Sequence, residues 1–175
     1  RLNNPRRMNQ KLAGIFDKAM SQARGGNPSR LDRVMRIALP FNRPHKIRLL
    51  ESGPAGAVVG LPDRRSNKNH LGGMHACAIA TALEYCSGLT ILMGEDMGGY
   101  RIIMSRIEVD YLARPEGDCR ASVPEGVDAK FLAELSDLGV AKTSITAVLH
   151  DASGREVARA LVHWQLKRWD LIGRK

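Results

Sequence analysis

Hydrophobic residues recur at helical spacing in the N-terminal part of the chain. A first helix is predicted from one apolar face formed by Met8, Leu12, Ile15, Phe16 and Met20. The sequence Gly-Gly-Asn-Pro at residues 25–28 ends this helix, because Gly and Pro both disfavour its continuation. Ser29 is then predicted as the N-cap of a second helix, with Asp32 as a shorter capping-box partner. Pro40 is predicted to end that helix. The apolar face of that second helix consists of Leu31, Val34, Met35 and Ala38.

The middle of the chain combines two short strands with one apolar helix. Residues 45–50 and 55–61 are predicted as strands, joined by a turn at Ser52-Gly53-Pro54. After a basic polar loop at residues 63–69, alanine occupies positions 76, 78, 80 and 82. Alanine favours helix and is small, so a helix lined with it can lie very close to a sheet. We therefore predict a buried helix over residues 74–87 that ends near Gly88.

Beyond this helix the apolar positions alternate with a period of two, which indicates strands. Strands are predicted at residues 107–111, 119–123, 144–149 and 156–167, and a short helix at residues 128–138. The last strand carries one apolar face, formed by Ala158, Ala160, Val162, Trp164 and Leu166. Strands collected after one helix indicate an α+β fold with a largely antiparallel sheet. A chain of 175 residues without a convincing internal boundary suits one domain with a sizeable core.

The chain is basic, with 27 Lys and Arg against 18 Asp and Glu and a net charge of +9. This charge attracts anions, which include nucleic acid, an acidic membrane surface and a ligand that bears phosphate. The sequence shows no helix-turn-helix signature, zinc finger or RNA-binding consensus, and no interleaving of aromatic and basic residues. We therefore do not expect nucleic acid as the partner.

The cysteine and histidine content predicts neither disulfides nor a metal site. Three cysteines without a C-x-x-C spacing indicate a reducing compartment, so a cytoplasmic location is expected. Their spacing relative to the histidines matches no common zinc site, and His150 and His163, within predicted strands, are interpreted as structural. The segment 71–94 is long enough to span a bilayer, but it contains Glu84 and four glycines, so no membrane span is expected.

Glu84 is the only formally charged side chain between Leu71 and Gly94. The start of the predicted helix, preceded by Gly72 and Gly73, offers free N–H groups that can polarise a carbonyl. Nine residues separate His75 from Glu84, which is about two and a half turns or roughly 13 Å, so the two side chains point to opposite sides. Two antiparallel copies of the helix across a two-fold axis would bring a helix start and a carboxylate together. Such a pairing could hydrolyse an ester or a thioester.

The residues Asn69, Gly72 and His75 form N-x-x-G-x-x-H, and Glu84 follows nine residues later. This spacing resembles that of the hot-dog fold acyl-CoA thioesterases, in particular their phenylacetate-pathway (PaaI-like) branch. RIEVDYLARPEGDCRASVP at residues 106–124 and DASGREVARALVHWQL at residues 151–166 resemble later segments of that family. The resemblance implies a hot-dog domain over residues 45–168, an antiparallel sheet wrapped around a central buried helix. Residues 1–44 would be an N-terminal helical extension with two helices, and residues 169–175 a basic tail.

The resemblance also implies a role for each motif residue. Glu84 would be the general base or nucleophile, and the backbone N–H of Ala76 would polarise the thioester carbonyl. Asn69 would orient the water or the acid of the partner chain. His75 would hold the helix start and hydrogen-bond near the thioester, and Gly72 would permit the tight backbone.

Three features depart from the family pattern. The sequence has His75-Ala76-Cys77 where the family often has His-Gly-Gly, and Glu84 where this branch more often has Asp. Met104 stands near the position of a catalytic hydroxyl in some members. Ser105 is adjacent, but strand alternation would turn it to the other face.

Arg64, Arg65 and Lys68 form a basic loop just before the motif. Such a loop is either simply solvated or contacts the phosphates of coenzyme A. No cofactor is expected beyond the coenzyme A thioester as substrate. The family resemblance further implies a homodimer with a continuous sheet and the association of two dimers into a homotetramer.

Three other functions remain open at this stage. A hydratase or dehydratase on the same fold would carry a different pattern of histidine and acid. A non-catalytic module that binds or senses acyl-CoA would be favoured by loss of the acid, which is present here. A basic nucleic-acid binder would show a steep salt dependence of its affinity.

Overall fold

The computed structural model describes residues 10–94 and 97–173, so Met8 of the predicted first helix lies outside the described residues. Its helices are α1 (Gln10–Arg24), α2 (Ser29–Ala38), α3 (Ala76–Leu92) and α4 (Ala129–Leu138). Its strands are β1 (Arg48–Gly53), β2 (Gly56–Leu61), β3 (Tyr100–Tyr111), β4 (Cys119–Ser122), β5 (Val140–His150) and β6 (Glu156–Arg168).

The six strands form one antiparallel sheet in the order β1-β2-β4-β5-β6-β3. The helix α3 packs on the inner face of this sheet, against β2, β4, β5 and β6. The predicted inner face of β6 is buried over its whole length. The α+β class, the antiparallel sheet and the central buried helix are therefore confirmed.

Helix α3 continues past the predicted end at Gly88 to Leu92. Gly88 lies under the indole of Trp164 on β6, where an added Cβ would be 3.1 Å from the ring. Glycine is therefore used here for close helix–sheet packing and does not end the helix. The helix ends where Arg24 of α1 donates a hydrogen bond from Nε to the carbonyl oxygen of Met93, at 3.1 Å.

The start of α2 differs from the prediction. Ser29 is the first helical residue and Pro28 precedes it, without a side-chain cap. Asp32 is 2% exposed, and its carboxylate accepts hydrogen bonds from Arg48 Nε at 2.7 Å and from the N–H of Leu49 at 3.0 Å. The acid thus fixes α2 on β1, a long-range contact that a local capping rule does not anticipate.

Strand β3 begins at Tyr100, seven residues before the predicted start at 107, and forms one edge of the sheet. It pairs with β6 along one side only. The register shifts between Met104 and Arg106, so Ser105 is the extra residue of a bulge. The bulge leaves Met104 opposite Trp164 on the inner side, and the Ser105 hydroxyl donates to the carbonyl of His163 at 3.2 Å.

Candidate functional site

Asn67 organises the loop that leads into α3, and sequence reasoning missed it. Its side chain is fully buried, and the amide nitrogen donates to the carbonyl oxygens of His45 and Pro62, both at 2.9 Å. The amide oxygen therefore accepts from His45 Nδ1 at 3.0 Å, which fixes the proton of that ring on Nδ1. The backbone carbonyl of Asn67 accepts the N–H of His75 at 2.7 Å, so this residue sets the start of the helix.

Asn69 closes a tight turn in the same loop. Its side-chain oxygen accepts the N–H groups of Leu71 at 2.9 Å and Gly73 at 3.1 Å. Gly72 has φ +73°, a conformation that favours glycine. In the described part of the chain, the amide nitrogen of Asn69 has no hydrogen-bond partner, so it can donate to a bound group.

Within the described part of the chain, the first turn of α3 leaves one backbone donor without an acceptor. His75 is the N-cap, and its Nδ1 accepts the N–H of Cys77 at 3.1 Å. In the neutral ring the proton is therefore on Nε2. Among the residues that the structure describes, none accepts the N–H of Ala76. This N–H and the helix dipole form an electropositive position beside an exposed histidine.

Two further residues from the end of β3 and the following loop reach the helix start. The hydroxyl of Tyr111 donates to the carbonyl oxygen of Ala76 at 3.1 Å. The guanidinium of Arg114 lies over Gly73, where an added Cβ would be 3.3 Å from Nε. No local pattern in the sequence indicates these contacts, because each joins residues more than thirty positions apart.

Glu84 lies half-buried on a stripe of α3 that the described residues leave partly uncovered. The incompletely buried residues of this stripe are Cys77, Ala80, Thr81, Glu84, Gly88 and Leu92. Burial raises the pKa of the Glu84 carboxyl above its usual range. No described residue donates a hydrogen bond to this carboxylate or forms an ion pair with it. Eight residues separate it from Ala76, or about 12 Å along the helix, so one chain keeps the acid and the free N–H apart.

The basic loop contains one lysine in an ion pair and two arginines for which the described residues supply no acidic partner. Lys68 lies 2.9 Å from Asp63 in a surface ion pair. Arg64 and Arg65 are exposed, and neither has an acidic partner within the described ranges. The two arginines are therefore the members of this loop that are free to contact an anion.

A polar row occupies the opposite, outer face of the sheet. Ser144 Oγ lies 2.8 Å from His163 Nδ1, and His163 Nε2 lies 3.1 Å from Glu108 Oε1. His163 thus has two side-chain partners. The neighbouring backbone N–H groups belong to strand ladders, and an oxyanion would find few free donors there.

Other features bear on the class of the site. Cys86 and Cys119 are buried, Cys77 is exposed, and all three thiols are free. Over residues 10–94 and 97–173, no three His, Cys, Asp or Glu side chains are grouped as metal ligands would be. Within the same ranges, no helix has the length and apolar character needed to cross a bilayer.

Comparison with known proteins gives a family match over most of the chain. Residues 28–166 match the family model described as a domain of unknown function, DUF4442. No curated protein matches the chain.

Several solved structures share the fold. A Pseudomonas aeruginosa protein of unknown function, named as a probable thioesterase, is 25% identical, with a TM-score of 0.71 over 81% of this chain and 96% of that one. A protein of unknown function from Chlorobaculum tepidum is 13% identical and also gives 0.71, over 91% and 99%. A thioesterase from Haemophilus influenzae is 10% identical and gives 0.63, over 84% and 94%. The chain therefore belongs to the DUF4442 family, and its fold is the hot-dog fold of thioesterase-superfamily proteins.

Proposed function

We propose that this protein hydrolyses an acyl-CoA or a related acyl thioester to a free acid and a thiol. The observation that carries the proposal is a half-buried Glu84 carboxylate that has no partner among the described residues. It lies on a helix whose first turn offers the Ala76 N–H, which no described residue accepts. The thioesterase names of two structural neighbours support the same reaction class.

The reaction follows from the chemistry of these groups. Glu84 accepts a proton from water as the water oxygen attacks the thioester carbonyl carbon. The Ala76 N–H and the helix dipole stabilise the negative charge that develops on the carbonyl oxygen. The C–S bond then breaks, and the proton passes from Glu84 to the leaving sulfur. A raised pKa makes Glu84 a stronger base than an ordinary glutamate. The Asn69 amide and His75 Nε2 are donors that can orient the water and the substrate.

Each site would combine two chains in a homodimer. One chain holds its own acid about 12 Å from its own free N–H, which is too far for one reaction centre. Strand β3 supplies the contact, because its 12 residues form an open edge with exposed Ile103 and Met104. Pairing of two such edges would continue the sheet and lay the uncovered stripe of one α3 against that of its partner. Association of two such dimers is the larger assembly expected from the family.

Coenzyme A is the carrier that the charges favour. Arg64 and Arg65 are free to contact its phosphates, and Arg114 lies beside the Gly-Gly turn at the helix start. Lys68 would contribute less, because Asp63 already neutralises part of its charge.

The first test is thiol release from short, long and aryl acyl-CoAs by wild type and Glu84→Gln. We expect the variant to lose kcat by a factor on the order of 10² to 10⁴ with its fold intact. Ser144→Ala is the matched control and should retain full activity, because its hydroxyl belongs to the row on the outer face. Wild-type turnover by Glu84→Gln, together with loss of turnover by Ser144→Ala, would place the active site at the polar row on the outer face instead. Acyl-CoA binding without turnover by wild type would indicate a binding module instead.

A second test asks whether one site uses two chains. Ala76→Pro removes the free N–H at a helix position that tolerates proline, and His75 already has the extended φ −73° and ψ 134° that a following proline requires. Glu84→Gln and Ala76→Pro should each be inactive alone. After unfolding and refolding together, about half of the dimers are mixed and each has one intact site, which should restore about a quarter of wild-type activity. No recovery from well-folded mixed dimers would show that the site lies within one chain.

A further inference from the structure

The positive charge of the chain is concentrated at one end of the sequence. Residues 1–50 contain twelve Lys or Arg and two Asp or Glu, whereas residues 51–175 contain fifteen and sixteen. The net charge of +9 therefore arises entirely from the first fifty residues. Of their two acids, Asp32 is buried against Arg48 and contributes little to the surface.

Two large apolar side chains stand out of this basic region. Ile37 is 73% exposed and Phe41 is 69% exposed. They are four residues apart, at the end of α2 and in the short 3₁₀ turn Pro40–Asn42 that follows it. We refer to residues 33–46 as the α2 corner.

The α2 corner is held in a defined shape. Arg43 folds back and donates from Nε to the carbonyl oxygen of Arg36 at 2.8 Å and from Nη2 to that of Ile37 at 3.2 Å. These bonds satisfy carbonyls at the C-terminus of α2 that would otherwise lack a partner. Exposure of the apolar pair is therefore a property of an ordered turn.

Cations surround the apolar pair. Arg33, Arg36, Arg43 and Lys46 are all exposed, and residues 33–46 contain no acid. An apolar pair with a rim of arginine and lysine is complementary to a surface that is apolar inside and anionic outside.

We propose that the α2 corner binds the surface of an anionic phospholipid bilayer. Ile37 and Phe41 enter the boundary between headgroups and acyl chains, and the basic side chains contact the lipid phosphates. A lipid surface explains the corner better than nucleic acid does, because Ile37, the more exposed member of the pair, offers no face for base stacking.

The position of the corner fits this role. Asp32 ties α2 to β1, which is the edge of the sheet opposite to β3. Pairing of two chains through β3 would therefore leave the corner uncovered. The proposal does not depend on the thioesterase reaction.

The test is co-sedimentation of the full chain with vesicles of phosphatidylcholine alone and of phosphatidylcholine mixed with phosphatidylglycerol. We expect wild type to bind only the anionic vesicles, and less strongly at high salt. The double variant Arg33→Gln/Arg36→Gln should bind on the order of thirtyfold more weakly. The double variant Ile37→Ser/Phe41→Ser should bind at least about tenfold more weakly.

The control Lys142→Gln/Lys167→Gln removes the same charge from the outer face of the sheet and should bind like wild type. All of these side chains are at least partly exposed, so unchanged thermal unfolding shows that each variant is folded. If Arg33→Gln/Arg36→Gln and Lys142→Gln/Lys167→Gln lost the same affinity for anionic vesicles, net charge alone would explain the binding and the proposal would be overturned. Failure of wild type to bind anionic vesicles would also overturn it, as would wild-type binding by Ile37→Ser/Phe41→Ser. Tighter binding of a single-stranded oligonucleotide than of vesicles would replace lipid by nucleic acid.

Discussion

Replacing Asn67 with alanine should destabilise the fold more than the same replacement at Asn69, two residues further along the same loop. Asn67 is fully buried and makes three side-chain hydrogen bonds, two to the carbonyls of His45 and Pro62 and one to the His45 ring. Alanine removes all three and leaves those carbonyls without this donor.

The magnitude follows from the bonds that are lost. At a net value of about 1 kcal/mol for each hydrogen bond, the free energy of unfolding should fall by about 3 kcal/mol. Because the site is fully buried, unpaired carbonyls and a small cavity add to this loss, so a total of about 4 kcal/mol is reasonable. For a chain of this size, the loss should lower Tm by on the order of 10 °C.

Asn69→Ala is the matched control. It removes two acceptor bonds from a partly exposed turn where water can replace them, so we expect a loss of about 1 kcal/mol. Urea unfolding followed by circular dichroism measures both variants, at one protein concentration because association also changes stability. A loss of 1 kcal/mol or less in Asn67→Ala, or an equal loss in the two variants, would refute the role given to Asn67.

Further predictions concern the helix and its neighbours. Because burial raises the pKa of Glu84, the acidic limb of kcat/KM should lie above the usual glutamate pKa of 4.5; a limb at or below that value would contradict the assignment. The same shift means that folding favours the protonated form, so stability falls as pH rises through the folded pKa, and Glu84→Gln should raise Tm at neutral pH. Gly88→Ala should lower the free energy of unfolding by about 1–3 kcal/mol because its Cβ meets Trp164. Gly14 lies in α1 with open space around it, so Gly14→Ala should raise the free energy of unfolding by about 0.5–1 kcal/mol. Urea unfolding should therefore show Gly14→Ala to be more stable than wild type and Gly88→Ala to be less stable. A thiol reagent should modify neither Cys86 nor Cys119 in the native protein, since both are buried, and mass spectrometry identifies any labelled residue.

Much of the fold could be predicted because its pattern is local. The alanines of α3, the two-residue alternation of β6 and the break after α1 each depend on neighbouring residues. The end of α3 could not be predicted in the same way. Gly88 reads as a helix end in the sequence, but Trp164 occupies the space beside it and makes glycine the residue that fits.

The acid of α2 shows the same limit. Asp32 has the spacing of a capping residue, yet Arg48 and the Leu49 N–H bind its carboxylate. A long-range ion pair and backbone hydrogen bond outweigh a cap that contributes about 1 kcal/mol. No rule based on positions within α2 alone could have indicated this partner.

The candidate site likewise combines residues that are close together in the sequence with contacts that only the fold creates. Asn69, Gly72 and His75 lie within seven residues, and Glu84 is conspicuous as the one charge in an apolar run. These residues could be selected from the sequence. The supporting contacts of Tyr111 and Arg114 come from the far end of β3 and the loop after it, so only the folded chain brings them to the helix start.

The two edges of the sheet differ in a way that supports the proposed pairing of two chains. The β1 edge is packed against α2, which is held by Asp32. The β3 edge has no such cover among the described elements, although it is twice as long as β1, with 12 residues against 6. An open edge of this length with exposed apolar side chains favours pairing with another strand. The uncovered stripe of α3 carries Glu84, and burial disfavours the ionised form of its carboxyl. Carboxyl groups in such environments are concentrated at functional sites. A second chain at the β3 edge would supply hydrogen-bond partners for the open strand. The same contact would bring Glu84 close to the helix start of the partner chain, where the substrate carbonyl would bind.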